Sequence, residues 1–147
     1  MSEADEVARR VAETLRGREG TGPLLGIAIE EAREGYARVA MTVRRDMLNG
    51  KSMAHGGMIF TLADTAFAYA CNSRNLNTVA QSATIAFLAP GREGDRLVAE
   101  ARELTLTGRS GVYQVEIRNQ SGEKIAIFQG LSRGIGGAIL PGPDGGN

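Results

Sequence analysis

The sequence predicts an α+β fold, a curved antiparallel sheet wrapped around one long helix, and three observations predict it. From about Gly56 to Asn72 the chain is rich in Ala, Leu, Met and Phe, has no proline, and is apolar nearly all round, as a buried central helix must be. Four strand-like runs follow: Thr78 to Leu88, Arg96 to Thr107, Val112 to Arg118 and Lys124 to Leu131. Between them stand turns at Pro90-Gly91, Gly108 and Gly122, and connections this short make the strands antiparallel. Such a helix needs a wrapping, and these runs, with two more before the helix, supply it.

The elements before the helix are shorter. Val7, Val11 and Leu15 recur every four residues among charged positions, which predicts an amphipathic, surface-lying helical extension over residues 1–20 ending near Gly17 and Gly20. A two-residue rhythm then begins, from Ile27 to Ile29 and from Tyr36 to Val43, with Ala37, Val39, Met41 and Val43 on one face and a hairpin turn near Glu34 and Gly35. Arg44 to Ala54 is polar and contains Asn49-Gly50; no alternating strand follows, so an irregular loop is expected there. Residues 138–147 hold glycines and prolines and are expected to form a flexible tail. No repeat or linker divides the 147 residues, and a single domain over 1–147 is expected.

Composition excludes several function classes. The 17 basic and 17 acidic residues cancel, so no net field draws nucleic acid or an anionic membrane surface. One cysteine, Cys71, excludes an internal disulfide, and one histidine, His55, leaves no zinc-type cluster, so no metal is expected. Met1 to Arg16 carries several acidic residues and no signal-peptide core, and the most apolar stretch, Met58 to Cys71, is broken by Asp64 and falls short of the ~20 residues of a membrane span. A soluble, cytoplasmic protein without membrane or nucleic-acid partners is the expectation.

Ser132 lies in Gly130-Leu131-Ser132-Arg133-Gly134, a formal match to a serine-hydrolase elbow. No helix pattern, acid and histidine follow it, so that chemistry is set aside. His55-Gly56-Gly57 stands where the apolar helix begins. Glycines at a helix start leave backbone N–H groups open, and the dipole adds positive potential, which suits an anion or a polarised carbonyl oxygen; an ordinary helix start with His55 capping it is the alternative. Asp64 sits deep in the same helix, where a carboxylate is costly unless compensated. Either Thr61 or Thr65 hydrogen-bonds it, or it is a carboxylate of raised pKa available as base or nucleophile.

Gly56 and Asp64 are eight residues apart, about 12 Å along one helix. Both groups would have to stand about 3 Å from one reacting carbonyl, so a shared site requires the Gly56 end of one chain to meet Asp64 of another. An obligate homodimer with two symmetric sites follows if both groups act. Asn49 reads first as a turn former, and Tyr69 and Cys71 as core. No phosphate loop or dinucleotide fingerprint is present.

Residues 55 to 73, His-Gly-Gly-Met-Ile-Phe-Thr-Leu-Ala-Asp-Thr-Ala-Phe-Ala-Tyr-Ala-Cys-Asn-Ser, closely resemble the hot-dog thioesterases of bacterial phenylacetic acid degradation. The resemblance runs from about Gly26 to Gly137, through Thr84 to Gly91, Gly111-Val112-Tyr113 and Arg133 to Gly137. It implies a hot-dog fold and an acyl-CoA thioesterase acting on phenylacetyl-CoA and its ring-hydroxylated relatives, with coenzyme A as part of the substrate and no cofactor. It implies that Asp64 is the catalytic carboxylate across a dimer interface, that the Gly56 N–H polarises the thioester carbonyl with Gly57 beside it, and that Asn49 and His55 position thioester or water. A dimer of dimers is usual among such proteins. Gly108, Arg109 and Ser110 are the candidates for coenzyme A contact. Two alternatives remain: a hot-dog hydratase or dehydratase with His55 as base, and a non-catalytic acyl-CoA sensor.

Overall fold

The computed structural model describes residues 1–142. The chain runs α1 (Glu3–Arg18), α2 (Thr21–Leu25), β1 (Ala28–Arg33), β2 (Tyr36–Thr42), a 3-10 turn (Arg45–Met47), α3 (Gly56–Cys71), β3 (Thr78–Phe87), β4 (Arg96–Thr107), β5 (Ser110–Arg118) and β6 (Lys124–Gly134). The strands form one antiparallel sheet in the order β1-β2-β4-β5-β6-β3. Leaving β2, the chain crosses the inner face as α3 and returns at the far edge as β3, so the sheet has a helix in its palm.

The core lies between α3 and that palm. Phe67 of α3 meets Tyr113 and Phe128 at ring centroid distances of 5.5 and 5.7 Å, and Phe60 meets Phe128 at 5.3 Å. Beneath Phe67 the sheet has a pit at Gly130: a Cβ there would stand 2.7 Å from the Phe67 Cζ. At the helix exit Asn72 fastens the crossover, its Oδ1 accepting the Thr78 N–H at 2.9 Å while its Nδ2 donates to the carbonyls of Ala68 (2.9 Å) and Thr78 (3.0 Å).

The two sheet edges differ. On β1, Glu30 and Glu31 each meet Arg38 at 3.0 Å, Glu31 also takes Arg33 at 2.7 Å, and α1 packs against the strand. β3 carries no charged residue, and Val79 and Phe87 are 44% and 53% exposed.

Four expectations need correction. The first strand extends to Arg33, beyond Ile29, because its glutamates are held by Arg38 across the hairpin, with Arg33 on the same strand and Arg96 on β4. The last strand runs on to Gly134. Helix α2 was not expected; Pro23 in its first turn and Gly26 closing it in the left-handed region (φ 67°) explain it. The tail expected to be flexible over 138–147 is docked at its start: Ile139 and Leu140 are buried against Val11, and their N–H groups both donate to the Asn75 Oδ1 at 2.9 and 2.8 Å. The rest of that expectation, residues 143–147, lies outside the described residues. No helix of the described residues is long and apolar enough to cross a membrane.

Candidate active site

The start of α3 is built by His55. Its backbone is extended (φ −60°, ψ 136°), and its Nδ1 accepts the Gly57 N–H at 2.8 Å. Its carbonyl accepts the N–H groups of Met58 and Ile59 at 2.9 and 3.2 Å. The Ile59 bond is the first regular helical one; of the four N–H groups before it that a helix start leaves over, those of Gly57 and Met58 are thus taken and that of His55 goes to the Met47 carbonyl at 2.8 Å. Only that of Gly56 finds no acceptor among the described residues. The expectation of two open glycine N–H groups is corrected to one: Gly57 is committed to the cap, and a side chain on it would crowd His55 Nδ1 at 3.1 Å. A side chain on Gly56 would meet the Phe87 ring at 3.0 Å. The Gly56 N–H, at the positive end of the helix dipole, is a ready donor to a developing oxyanion.

Because His55 Nδ1 accepts, it carries no proton, and the hydrogen sits on Nε2; the tautomer is assigned from this bond. Neither ring nitrogen then offers a lone pair to a substrate proton. His55 is a cap and a potential donor, not a base.

Asp64 lies a little over two turns further along. It is half-buried, and neither threonine supports it: Thr61 Oγ1 donates to the Gly57 carbonyl at 2.8 Å and Thr65 Oγ1 to the Thr61 carbonyl at 2.7 Å. No donor or cation among the described residues reaches the carboxylate, so burial alone raises its pKa above the ordinary value. Of the two readings left open by the sequence, the geometry supports the available carboxylate.

Asp64 opens into a cleft of about 380 Å³ whose floor is α3 and whose far wall is the α1–α2 junction, with Leu15, Glu19 and Thr21. The Tyr69 hydroxyl bridges floor to wall by donating to the Glu19 carboxylate. This wall was not anticipated; nothing in the spacing of residues 15–21 connects them to Asp64.

Asn49 sits in a small loop closed by the pairing of Leu48 with Ala54, beside His55. Its Oδ1 accepts the N–H groups of Lys51 and Met53 at 2.9 and 3.2 Å, which is the turn-forming role. Gly108 and Arg109 form the β4–β5 turn and line a separate cavity of about 240 Å³ beyond the C-terminal end of α3, together with Cys71, Leu106 and Tyr113. Ser110 flanks that turn in β5, paired with Thr107 and Arg133, and does not line the cavity. The structure therefore gathers Asn49, His55, Gly56 and Gly57 at one end of α3, Asp64 at its middle, and Gly108 and Arg109 at the other end. Burial pushes the Cys71 thiol up to about 12, which removes it as a nucleophile. Ser132 is buried and donates to the Gly111 carbonyl at 3.3 Å, a structural role.

The thioesterase superfamily model matches residues 52–126, the span from the loop before His55 into β6. An acyl-coenzyme A thioesterase, PaaI, of Escherichia coli is 52% identical over 115 residues, covering 78% of this chain and 82% of that one. The solved structure of the Escherichia coli PaaI protein from the phenylacetic acid degradation operon superposes with a TM-score of 0.91 at 45% identity, over 92% of this chain and 99% of that chain. A Streptococcus mutans protein solved with acetyl CoA bound superposes with a TM-score of 0.74 at 26% identity, over 76% of this chain and 90% of that chain.

Proposed function

The chain belongs to the thioesterase superfamily and is a hot-dog thioester hydrolase, and from that premise we propose that it cleaves phenylacetyl-CoA and ring-hydroxylated phenylacetyl-CoAs to free acid and coenzyme A. Two copies share each site. The Gly56 N–H of one donates to the developing oxyanion, and Asp64 of the other either attacks the carbonyl carbon directly or takes a proton from the water that attacks it. The carbon–sulfur bond then breaks and the electron pair leaves on the coenzyme A thiolate; where Asp64 has attacked directly, water then hydrolyses the anhydride it has formed, releasing the acid and restoring the carboxylate. A thiol of pKa near ~8.5 leaves without a strong acid, so one donor and one carboxylate suffice.

The observation that carries this reading is Asp64, half-buried with no compensating partner among the described residues. A sensor would have no use for it. The pairing of His55 Nδ1 with Gly57 speaks against a hydratase, whose base it would have to be. The acyl preference is supported by the likeness to the Escherichia coli PaaI. Arg109, which lines the second cavity, is a candidate for coenzyme A phosphate, and a cytoplasmic dimer of dimers is the assembly in keeping with the family.

The test is steady-state hydrolysis of aromatic and aliphatic acyl-CoAs by wild type and Asp64→Asn. Loss of about 10²–10⁴ in kcat is expected from removing the base or nucleophile. An unimpaired variant sinks the mechanism, and tight binding by wild type without turnover sinks the enzyme.

A further inference from the structure

The α1–α2 unit does more than cover the sheet edge. It makes one wall of the cleft in which Asp64 stands, and that wall is fixed on three sides. Arg16 Nε donates to the Ile27 carbonyl at 3.1 Å, Arg18 Nη2 to the Ile139 carbonyl at 3.3 Å, and the Tyr69 hydroxyl, rising from α3, to the Glu19 carboxylate. A thioester whose carbonyl stands at Asp64 has two arms, and only one enters this cleft.

The arm bearing coenzyme A is the poorer fit. Its phosphates would approach the Glu19 carboxylate, and the wall's cation, Arg18, is turned to a carbonyl. The acyl arm fits better: Leu15, Ala68 and the Tyr69 ring give apolar contact, and about 380 Å³ accepts a single ring. From Asp64 to Ala68 is one turn, about 6 Å, comparable to the reach from a phenylacetyl carbonyl to the far side of its ring.

We infer that α1–α2 is the selectivity wall of the acyl pocket, with Leu15 and Tyr69 holding the aromatic ring and the Glu19 carboxylate accepting a hydrogen bond from a ring hydroxyl. The Tyr69 hydroxyl, whose pKa burial and Glu19 drive upward, stays protonated and shares that carboxylate, which has a second oxygen for the substrate. This inference rests on the thioesterase reading above and adds to it the residues that choose the acyl group.

The test is kcat/KM for 4-hydroxyphenylacetyl-CoA over that for phenylacetyl-CoA, in wild type, Glu19→Gln and Tyr69→Phe, with circular dichroism and a thermal scan on each. Glu19→Gln should lower the ratio about tenfold, the value of a hydrogen bond to a charged acceptor. Tyr69→Phe should raise it, because the carboxylate loses its resident donor and takes the substrate's instead. Opposite signs are not produced by a general loosening of the wall. Ratios within twofold of an active wild type overturn the inference alone. A wild type inert towards both substrates overturns the aromatic thioesterase reading, and the inference with it.

Discussion

The two edges of the sheet manage the same hazard in opposite ways. At β1 the unpaired backbone is guarded by α1 and by a lattice of Glu30, Glu31, Arg33 and Arg38, which discourages another strand from adding. At β3 ten residues pass without a charge, with Val79 and Phe87 open to solvent. A folded protein rarely leaves such an edge bare. The contrast marks β3 as the unguarded edge, and it is also the edge whose Phe87 ring stands 3.0 Å from where a Gly56 side chain would begin. The unguarded edge and the candidate half-site at the helix start are therefore one neighbourhood.

The largest effect that can break this comparison comes from Gly56→Pro, which deletes the backbone N–H at a first helical position suited to proline, the exposed Phe87 ring shifting to admit the added atoms. A fall of about 10²–10³ in kcat is expected with the fold kept. Mixing that variant with Asp64→Asn, after denaturation and refolding together, should return about a quarter of wild-type activity, since half the dimers are mixed and each carries one intact site. No recovery would show that the sites do not straddle two chains. Next comes a charge on the bare edge: Thr84→Lys should yield monomers by light scattering and lose about 10²-fold in activity or more, through loss of the shared site.

A smaller effect concerns Asp64 itself. Its folded-state pKa is raised, so as pH rises past the ordinary carboxylate range the unfolded chain ionises first and stability falls until the folded carboxyl ionises too. Asp64→Asn removes that cost. Its Tm should exceed wild type at pH 7, with the gap closing near pH 4; a gap that grows on acidification contradicts the uncompensated carboxylate. The smallest effect belongs to the guarded edge, where Glu31→Gln should cost about 0–1 kcal/mol in denaturant unfolding and leave the oligomeric state unchanged.

Legibility in the sequence followed the range of the interactions. The core helix and four of the strands were readable, since periodicity and turn residues are local signals; α3 begins at the expected Gly56. The first strand is longer than its rhythm suggests because Glu30 and Glu31 mask that rhythm, and Arg38 across the hairpin, with Arg33 and Arg96, makes them acceptable there. The docking of Ile139 and Leu140 was hidden because it depends on Asn75, sixty-four residues before Ile139. At the candidate site, the separation of Gly56 and Asp64 was plain from helix geometry alone. The fate of each N–H was not: that His55 spends its lone pair on Gly57 and spares Gly56 is a matter of one rotamer. The wall at Leu15 and Glu19 was illegible, because no spacing relates the first helix to the third.

The pit at Gly130 has a mechanical consequence. A helix cradled in a curved sheet can slide along its axis and can roll about it, and smooth apolar contact resists rolling poorly. Phe67 seated where no side chain exists acts as a key in a keyway, fixing the helix at one angle. Asp64 is three residues from that key, so the same fitting that packs the core also aims the carboxylate at its cleft. Filling the slot with Gly130→Ala would turn the shaft, and the aim of Asp64 would be lost along with the packing.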